Sequence, residues 1–283
     1  MKNEPLISIV MPARNAAAFI HDAIASVLQQ TWKNWELLVV DNGSDDDTAA
    51  IARSFNDPRV QVFHQAIRGV GHARNMALSR IRGTFYCFLD ADDMLPPNSL
   101  ADRAALLMEN EAVHFADGGV QAFDERTSNI WTRSPRYRGP SPLHELYTIS
   151  DSCFLGTTWM IRRSSDTVPL FDTGMTHAEE LFYYMSIAHK GAYDHVSRPV
   201  LLYRISPGSA MSDIVGLHKG YRQLVAGMNH LPSPPNDSEL QYAWGRIRKI
   251  MWRTYLKRGM PLAAFRAFFE SRPKPGPAPK IIP

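Results

Sequence analysis

Short apolar runs separated by helical spacing dominate the first hundred residues. Leu6–Met11, Trp35–Val40, Val60–Phe63 and Phe85–Leu89 are apolar without alternation, the pattern of strands covered on both faces. Between them, apolar residues recur every three or four positions. Asn15 is placed to cap a helix over Ala16–Gln30, with Phe19, Ile20, Ile24, Val27 and Leu28 on one side. Further helices are predicted from about Asp46 to Phe55, and after Gly69 and Gly71 to about Arg80. This alternation predicts a mainly parallel α/β sheet with helices on both faces, and such sheets bind ligands beyond the carboxyl ends of their strands. Three polar clusters fall there: Pro12-Ala13-Arg14-Asn15, Asp41-Asn42-Gly43-Ser44 and Asp90-Ala91-Asp92-Asp93. Far apart in sequence, they are expected to meet at one rim.

The second half is less regular. Strands are predicted over Val113–Val120, Gln121–Trp131, Phe154–Ile161 and Val196–Tyr203, and a helix over His177–Lys190 that Gly191 ends. Thr132–Leu143, rich in Arg, Pro and Ser, reads as a mobile loop. From Ile214 the pattern is helical, in segments reaching about Asn229, Ser238–Arg258 and Pro261–Ser271. The Pro- and Lys-rich tail after Arg272 reads as extended or disordered. There is no internal repeat.

Composition narrows the class without deciding it. The chain has 283 residues, 45% apolar and 21% charged, with a net charge of +3. That suits one large domain, or one domain with an appended lobe. So small a positive charge does not argue for nucleic acid, and it is compatible with an anionic substrate or membrane surface. Cys87 and Cys153 lie outside any CxxC pattern and read as buried free thiols of a reducing compartment. The amino-terminal residues lead directly into a strand pattern without a signal-peptide stretch, and no apolar run has the length of a membrane span. The expectation is a soluble cytoplasmic protein, with peripheral contact at the inner face of the membrane left open.

The chemistry concentrates in Phe88-Leu89-Asp90-Ala91-Asp92-Asp93. Alternate side chains of a strand share a face, so Asp90 and Asp92 point together, and two adjacent carboxylates ask for a compensating cation. Mg²⁺ or Mn²⁺ suits oxygen ligands and can bridge a carboxylate to a diphosphate, whose departure it stabilises. Taken alone, the motif reads equally well as a solvated acidic turn.

Its company resembles the family-2 glycosyltransferases of the GT-A fold. Ser8–Asn15 resembles that family's opening strand and PxxN turn. Trp35–Thr48 resembles its second strand and acidic turn, Gly69-Val70-Gly71-His72-Ala73-Arg74-Asn75 its GxxxARN segment, and Phe88–Asp93 its FLDADD signature. These follow in the family's order over about residues 6 to 100. The match loosens afterwards, with Phe171-Asp172 and Glu179-Glu180 resembling an FD…ED segment, and Arg198–Arg204 with Pro207-Gly208-Ser209 resembling a closing YRxHxGS element.

The resemblance implies an inverting transfer of sugar from a UDP-, dTDP- or GDP-sugar to a saccharide or lipid-linked saccharide, as in bacterial surface polysaccharide or glycolipid synthesis. It implies a catalytic domain over residues 1–212, divided near 100 into nucleotide-binding and acceptor halves, a helical extension over 213–272, and a tail over 273–283. Nucleotide contacts are expected from Pro12, Ala13, Arg14, Asn15, Asp41, Asn42, Ser44, Arg74, Asp90 and Ala91. Metal ligation falls to Asp92 and Asp90, and the general base to Glu180 with Glu179 beside it. Trp159 either lines the acceptor side or belongs to the core.

Several positions depart from the family pattern. Asn42 replaces a carboxylate that can accept a base N–H, Glu180 replaces an Asp, Ser186 stands where an arginine is usual, and Ser206 where a histidine is usual. His177, His72 and Arg204 are alternative groups to complete the site. These departures keep two other readings open: a non-catalytic nucleotide-sugar-binding relative and a sugar-phosphate nucleotidyltransferase. The cations Arg246, Arg248, Lys249, Arg253, Lys257 and Arg258, set among Trp244, Ile247, Ile250, Met251, Trp252, Tyr255 and Leu256, read either as a membrane-facing amphipathic surface or as an ordinary helix packed on the catalytic domain.

Overall fold

The computed structural model describes residues 4–124, 130–165, 167–205 and 213–281. Its sheet begins as the apolar runs predict, with β1 (Ile7–Ala13), β2 (Trp35–Asp41), β3 (Val60–His64) and β4 (Phe85–Phe88). These four are mutually parallel in the order β3-β2-β1-β4. The sheet continues through β7 (Met160–Arg162), β5 (Val113–Phe123) and β6 (Trp131–Arg133), with β8 (Ala192–Arg204) parallel to β5. The fold is thus mixed α/β around a largely parallel sheet.

Both faces are covered, which explains why the strands show no polar alternation. Ile7, Ile9, Met11, Leu37 and Val39 enter one core, packed under α1 (Ile20–Leu28), α2 (Thr48–Ser54) and α4 (Ser99–Glu109). Their neighbours Val10, Leu38 and Val40 enter the other, with α3 (Val70–Leu78), α5 (Leu143–Tyr147) and α6 (Glu179–Ile187). The period of two separates the cores without making either face polar. α7 (Ile214–Gly227), α8 (Asp237–Lys257) and α9 (Pro261–Phe269) join this second core through Leu224, Trp244, Ile247, Met251 and Ala264. Trp244, Ile247, Met251 and Tyr255 of α8 are therefore interior, whereas Trp252 and Leu256 of the same helix are exposed.

The second half departs most from expectation. The first expected strand from Val113 and the start of the second are one eleven-residue strand, β5, because Val120 and Gln121 pair without a break with both β6 and β8; residues 125–129 of the second lie outside the described residues. The expected strand Phe154–Ile161 contracts to β7, and Trp159 becomes core. The Arg- and Pro-rich segment is held down rather than loose: Arg138 pairs with Asp194 and donates to the His195 carbonyl, and the Arg136 amide donates to the Ser152 carbonyl.

The tail has no regular secondary structure, yet it is tied back onto the body. The Gly276 amide donates to the Ala226 carbonyl at 2.9 Å, and the Lys280 carbonyl accepts from the Thr173 amide at 2.8 Å. Ser206 to Ser209 lie outside the described residues, and with them the position where a histidine is usual.

Candidate active site

The three strand-end turns meet as expected, around a cavity of about 640 Å³. Pro12, Ala13, Arg14 and Asn15 form one side of its wall, Asn42 and Gly69 the next, and Asp90, Ala91, Asp92 and Asp93 the floor. The opposite wall is Thr176, His177, Ala178, Glu179 and Glu180 at the start of α6. Asp41 and Ser44 stand behind the lining and shape it.

The first two turns are stitched to each other. Ser44 Oγ accepts from the Asn15 amide at 3.0 Å, Asn15 Oδ1 accepts from the Asp45 amide at 2.9 Å, and Asp46 Oδ2 accepts from the Ala17 amide at 3.1 Å. Asn15 adopts φ +49°, a left-handed conformation that asparagine tolerates better than most residues. Asp41 accepts from the Ser44 amide and lies 3.1 Å from His64 Nδ1. Asn42 lines the cavity and is also bonded to a neighbouring loop. Its amide donates to the Gln65 and Ile67 carbonyls and accepts from the Gly69 amide at 2.7 Å, so it organises the 65–69 loop. Arg14 is exposed and pairs with no described residue, leaving its planar guanidinium available to the cavity.

The acidic floor is braced by a residue from the far end of the sheet. The buried Arg204 donates its amide to Asp93 Oδ1 and its Nε to the Asp92 carbonyl, and its Nη2 reaches Asp22. A cation so placed fixes the turn and cannot itself ligate a metal. Asp93, pinned this way, is structural. Burial, and then the charges of Asp90 and Asp92, hold its carboxyl well above the usual range. Burial and the Asp90 charge raise Asp92, and burial with Glu180 raises Asp90 against the pull of Arg74.

These raised carboxyls show a floor short of positive charge, and the Asp92 carboxylate bonds to no other described side chain. Both observations fit a divalent cation held by Asp92 and Asp90. Among the described residues no three His, Cys, Asp or Glu converge on one point.

Arg74 is the centre of the opposite side. It is 1% exposed and reaches three carboxylates: Asp90 at 3.0 Å, Glu179 at 3.1 Å and Glu180 at 2.9 Å. Its guanidinium, expected among the nucleotide contacts, holds the floor against α6. Burial works against its charge, but Glu180, Asp90 and Glu179 together keep it firmly protonated. Glu179 is the inner carboxylate, its Oε2 buried without a hydrogen bond. Burial first, and then the Glu180 charge, push it up to about 8. Glu180 is the outer one and opens into the cavity.

His177 wedges between α6 and α7. A Cβ at Gly216 would stand 2.5 Å from its ring and one at Gly220 would stand 2.6 Å from its Cβ, so the helix approaches this closely only through glycine. Its Nε2 is buried without a hydrogen bond.

Trp159 is corrected. It is fully buried, stacks on Tyr184 at 4.4 Å and donates its indole N–H to the Cys153 carbonyl, so it is core and no part of the acceptor side. Conversely, Phe19, Tyr203 and Leu217 line the cavity. Phe19 and Leu217 carried only an apolar signal, which cannot distinguish a cavity wall from a core.

Residues 8–168 match the model of the family described as Glycosyl transferase family 2. The chain belongs to that family. Among curated relatives, an Escherichia coli UDP-Glc:alpha-D-GlcNAc-diphosphoundecaprenol beta-1,3-glucosyltransferase, WfgD, is 41% identical over 123 residues, 43% of this chain and 48% of its own. An uncharacterised glycosyltransferase of Rickettsia typhi is 29% identical over 198 residues, 68% of this chain and 62% of its own, so the chain spans about three-fifths of that relative's length. Among solved structures, S. aureus TarS 1–349 in complex with UDP-GlcNAc superimposes with a TM-score of 0.70 at 19% identity, covering 93% of this chain and 78% of its own. The mannosyltransferase PcManGT of Pyrobaculum calidifontis, in complex with GDP-Man and Mn2+, gives 0.63 at 19% identity, covering 95% of this chain and 77% of its own. The fold is therefore the GT-A fold of this family.

Proposed function

We propose that this chain transfers a sugar from a nucleoside-diphosphate sugar to a hydroxyl acceptor with inversion at the anomeric carbon. The observation that carries this reading is the meeting, in one cavity, of Asp90 and Asp92 with the carboxylate of Glu180, Asp90 and Glu180 being held by the same Arg74 nitrogen. Arg14 and Phe19 flank the nucleoside, one offering a guanidinium plane and the other a ring. Asp92 and Asp90 would hold Mn²⁺ or Mg²⁺, an ion that would supply positive charge against the leaving diphosphate.

Glu180 takes the proton of the acceptor hydroxyl as that oxygen bonds to the anomeric carbon. The bond from that carbon to the diphosphate breaks in the same step, and the nucleoside diphosphate carries away the electron pair. Arg74 fixes Glu180 on the acceptor side, and burial, then the Glu180 charge, push the Glu179 carboxyl behind it up to about 8.

The relatives' names motivate the acceptor class. WfgD is named for an acceptor on diphosphoundecaprenol, which supports a lipid-linked saccharide here. Among the described residues no helix is long and apolar enough to cross a membrane; an acceptor of that class places the proposed reaction at the inner face of the membrane.

Calorimetry with UDP-, dTDP- and GDP-sugars, with and without Mn²⁺, followed by nucleoside-diphosphate release, tests the reading. Binding that depends on the ion, weakened about tenfold or more by Asp92→Ala, is expected. Glu180→Gln is expected to lower turnover by about 10²–10⁴-fold while donor binding persists. Tight donor binding with no turnover by the unaltered chain on any lipid-linked acceptor would instead favour a non-catalytic binder.

A further inference from the structure

α9 is built inside out. Its inward residues are the small Ala264 and Ala267, while Leu262, Phe265 and Phe269 are 77%, 65% and 65% exposed. Positions 262, 265 and 269 share one side of the helix, so the large side chains form a single outward stripe. Phe268 meets Trp252 of α8 at 5.8 Å between ring centroids, and the exposed Leu256 and Met260 extend the ridge. A contiguous apolar surface of this kind marks an interaction site.

The charge around it names the partner. Residues 246–274 contain nine Lys and Arg against one acid, Glu270, whereas the rest of the chain contains 22 against 27. The modest net charge therefore conceals a strongly basic carboxyl-terminal segment on an acidic body. Lys249, Arg253, Lys257, Arg258 and Arg266 are exposed and form no ion pair with a described residue, while Glu270 is taken by Arg222 and His218. Two copies facing each other through this surface would set cations against cations. An anionic bilayer satisfies both features, since the ridge enters the acyl boundary and the cations meet phosphate head groups.

We propose that the outer face of α9, with the adjoining end of α8, docks this protein on an anionic membrane surface. Within α7, Leu217 lines the sugar-transfer cavity, and the next residue, His218, lines a second groove of about 660 Å³ walled by Tyr255, Met260 and Leu262. Docking through α9 thus leaves the cavity one helix away from the bilayer, where a lipid-linked saccharide projects. This last consequence rests on the acceptor proposed above; the docking itself does not.

Sedimentation of the full chain, without donor, with phosphatidylcholine vesicles lacking or containing about one-third phosphatidylglycerol tests the surface. Binding is expected with the anionic vesicles only, and is expected to fall with salt. The pair Phe265→Ser/Phe269→Ser and, separately, the triple Lys257→Glu/Arg258→Glu/Arg266→Glu are each expected to weaken it about tenfold or more, with circular dichroism and the unfolding midpoint preserved. No binding to anionic vesicles, equal binding to neutral ones, or unchanged binding by folded variants overturns the proposal. So does a dimer in light scattering that Phe265→Ser/Phe269→Ser dissolves. Vesicle binding without sugar transfer leaves the surface standing and removes the enzymatic reading; transfer to a soluble acceptor without vesicle binding does the reverse.

Discussion

The two walls of the cavity are built by different means. The donor wall is three loops at the ends of adjacent parallel strands, joined by hydrogen bonds between Asn15, Ser44, Asp45 and Asp46. The wall proposed to face the acceptor is the start of α6, held from a distance. Arg74 reaches across to Glu179 and Glu180, and Asn75 donates to the Phe171 carbonyl and accepts from the Phe171 amide. Arg74 and Asn75 belong by sequence to the donor half, yet their bonds serve the opposite wall. The ARN segment is the tie between the walls, so a lesion there separates them, whereas a lesion in a turn affects one alone.

The largest effect expected is from Arg74→Met, which leaves Asp90, Glu179 and Glu180 without their shared cation. Losing a buried partner of this kind costs about 3–5 kcal/mol, measurable by chemical denaturation, and turnover should fall further than stability explains. Asn75→Ala is expected to cost about 1–3 kcal/mol, because the Phe171 amide and carbonyl lose buried partners. Its donor affinity by calorimetry should stay near that of the unaltered chain; a large loss would mean that the two walls are not separable. Asn42→Ala sharpens the contrast from the other side. Freeing the 65–69 loop is expected to cost about 1 kcal/mol and to weaken nucleotide binding while leaving the α6 wall intact.

The smallest effect on turnover is expected from Glu179→Gln, whose effect on stability instead depends on pH. The folded-state value of about 8 lies above the ordinary 4.5, so the glutamate's contribution is present in full below about 4.5 and is lost as pH rises toward 8. Thermal unfolding of both proteins should show the variant gaining on the unaltered chain across that interval and levelling beyond it. A difference independent of pH would mean that Glu179 is ionised throughout.

The same contrast explains what could be read from the chain. The strands of the donor half and their end clusters were legible because each element is local: an apolar run, a turn, a helix. Their meeting at one rim followed from parallel topology alone. The commitment of Asn42 to a loop and of Arg74 to three carboxylates was not legible, because both depend on partners that sequence spacing does not bring near. Trp159 failed as an acceptor residue for a similar reason. An aromatic side chain looks the same in a sequence whether it faces a sugar or stacks on Tyr184. α9 illustrates the converse: its apolar spacing correctly announced a helix but not which side would face inward.

The tied-back tail has a practical consequence. Lys280 bonds through its backbone to Asp172 and Thr173, a few residues before Thr176 and His177 of the acceptor wall. A fluorescent or spin label introduced at position 281 would therefore sense rearrangements around the acceptor without touching the cavity. A bulky tag fused there would act as a perturbation of the enzyme rather than as a neutral handle.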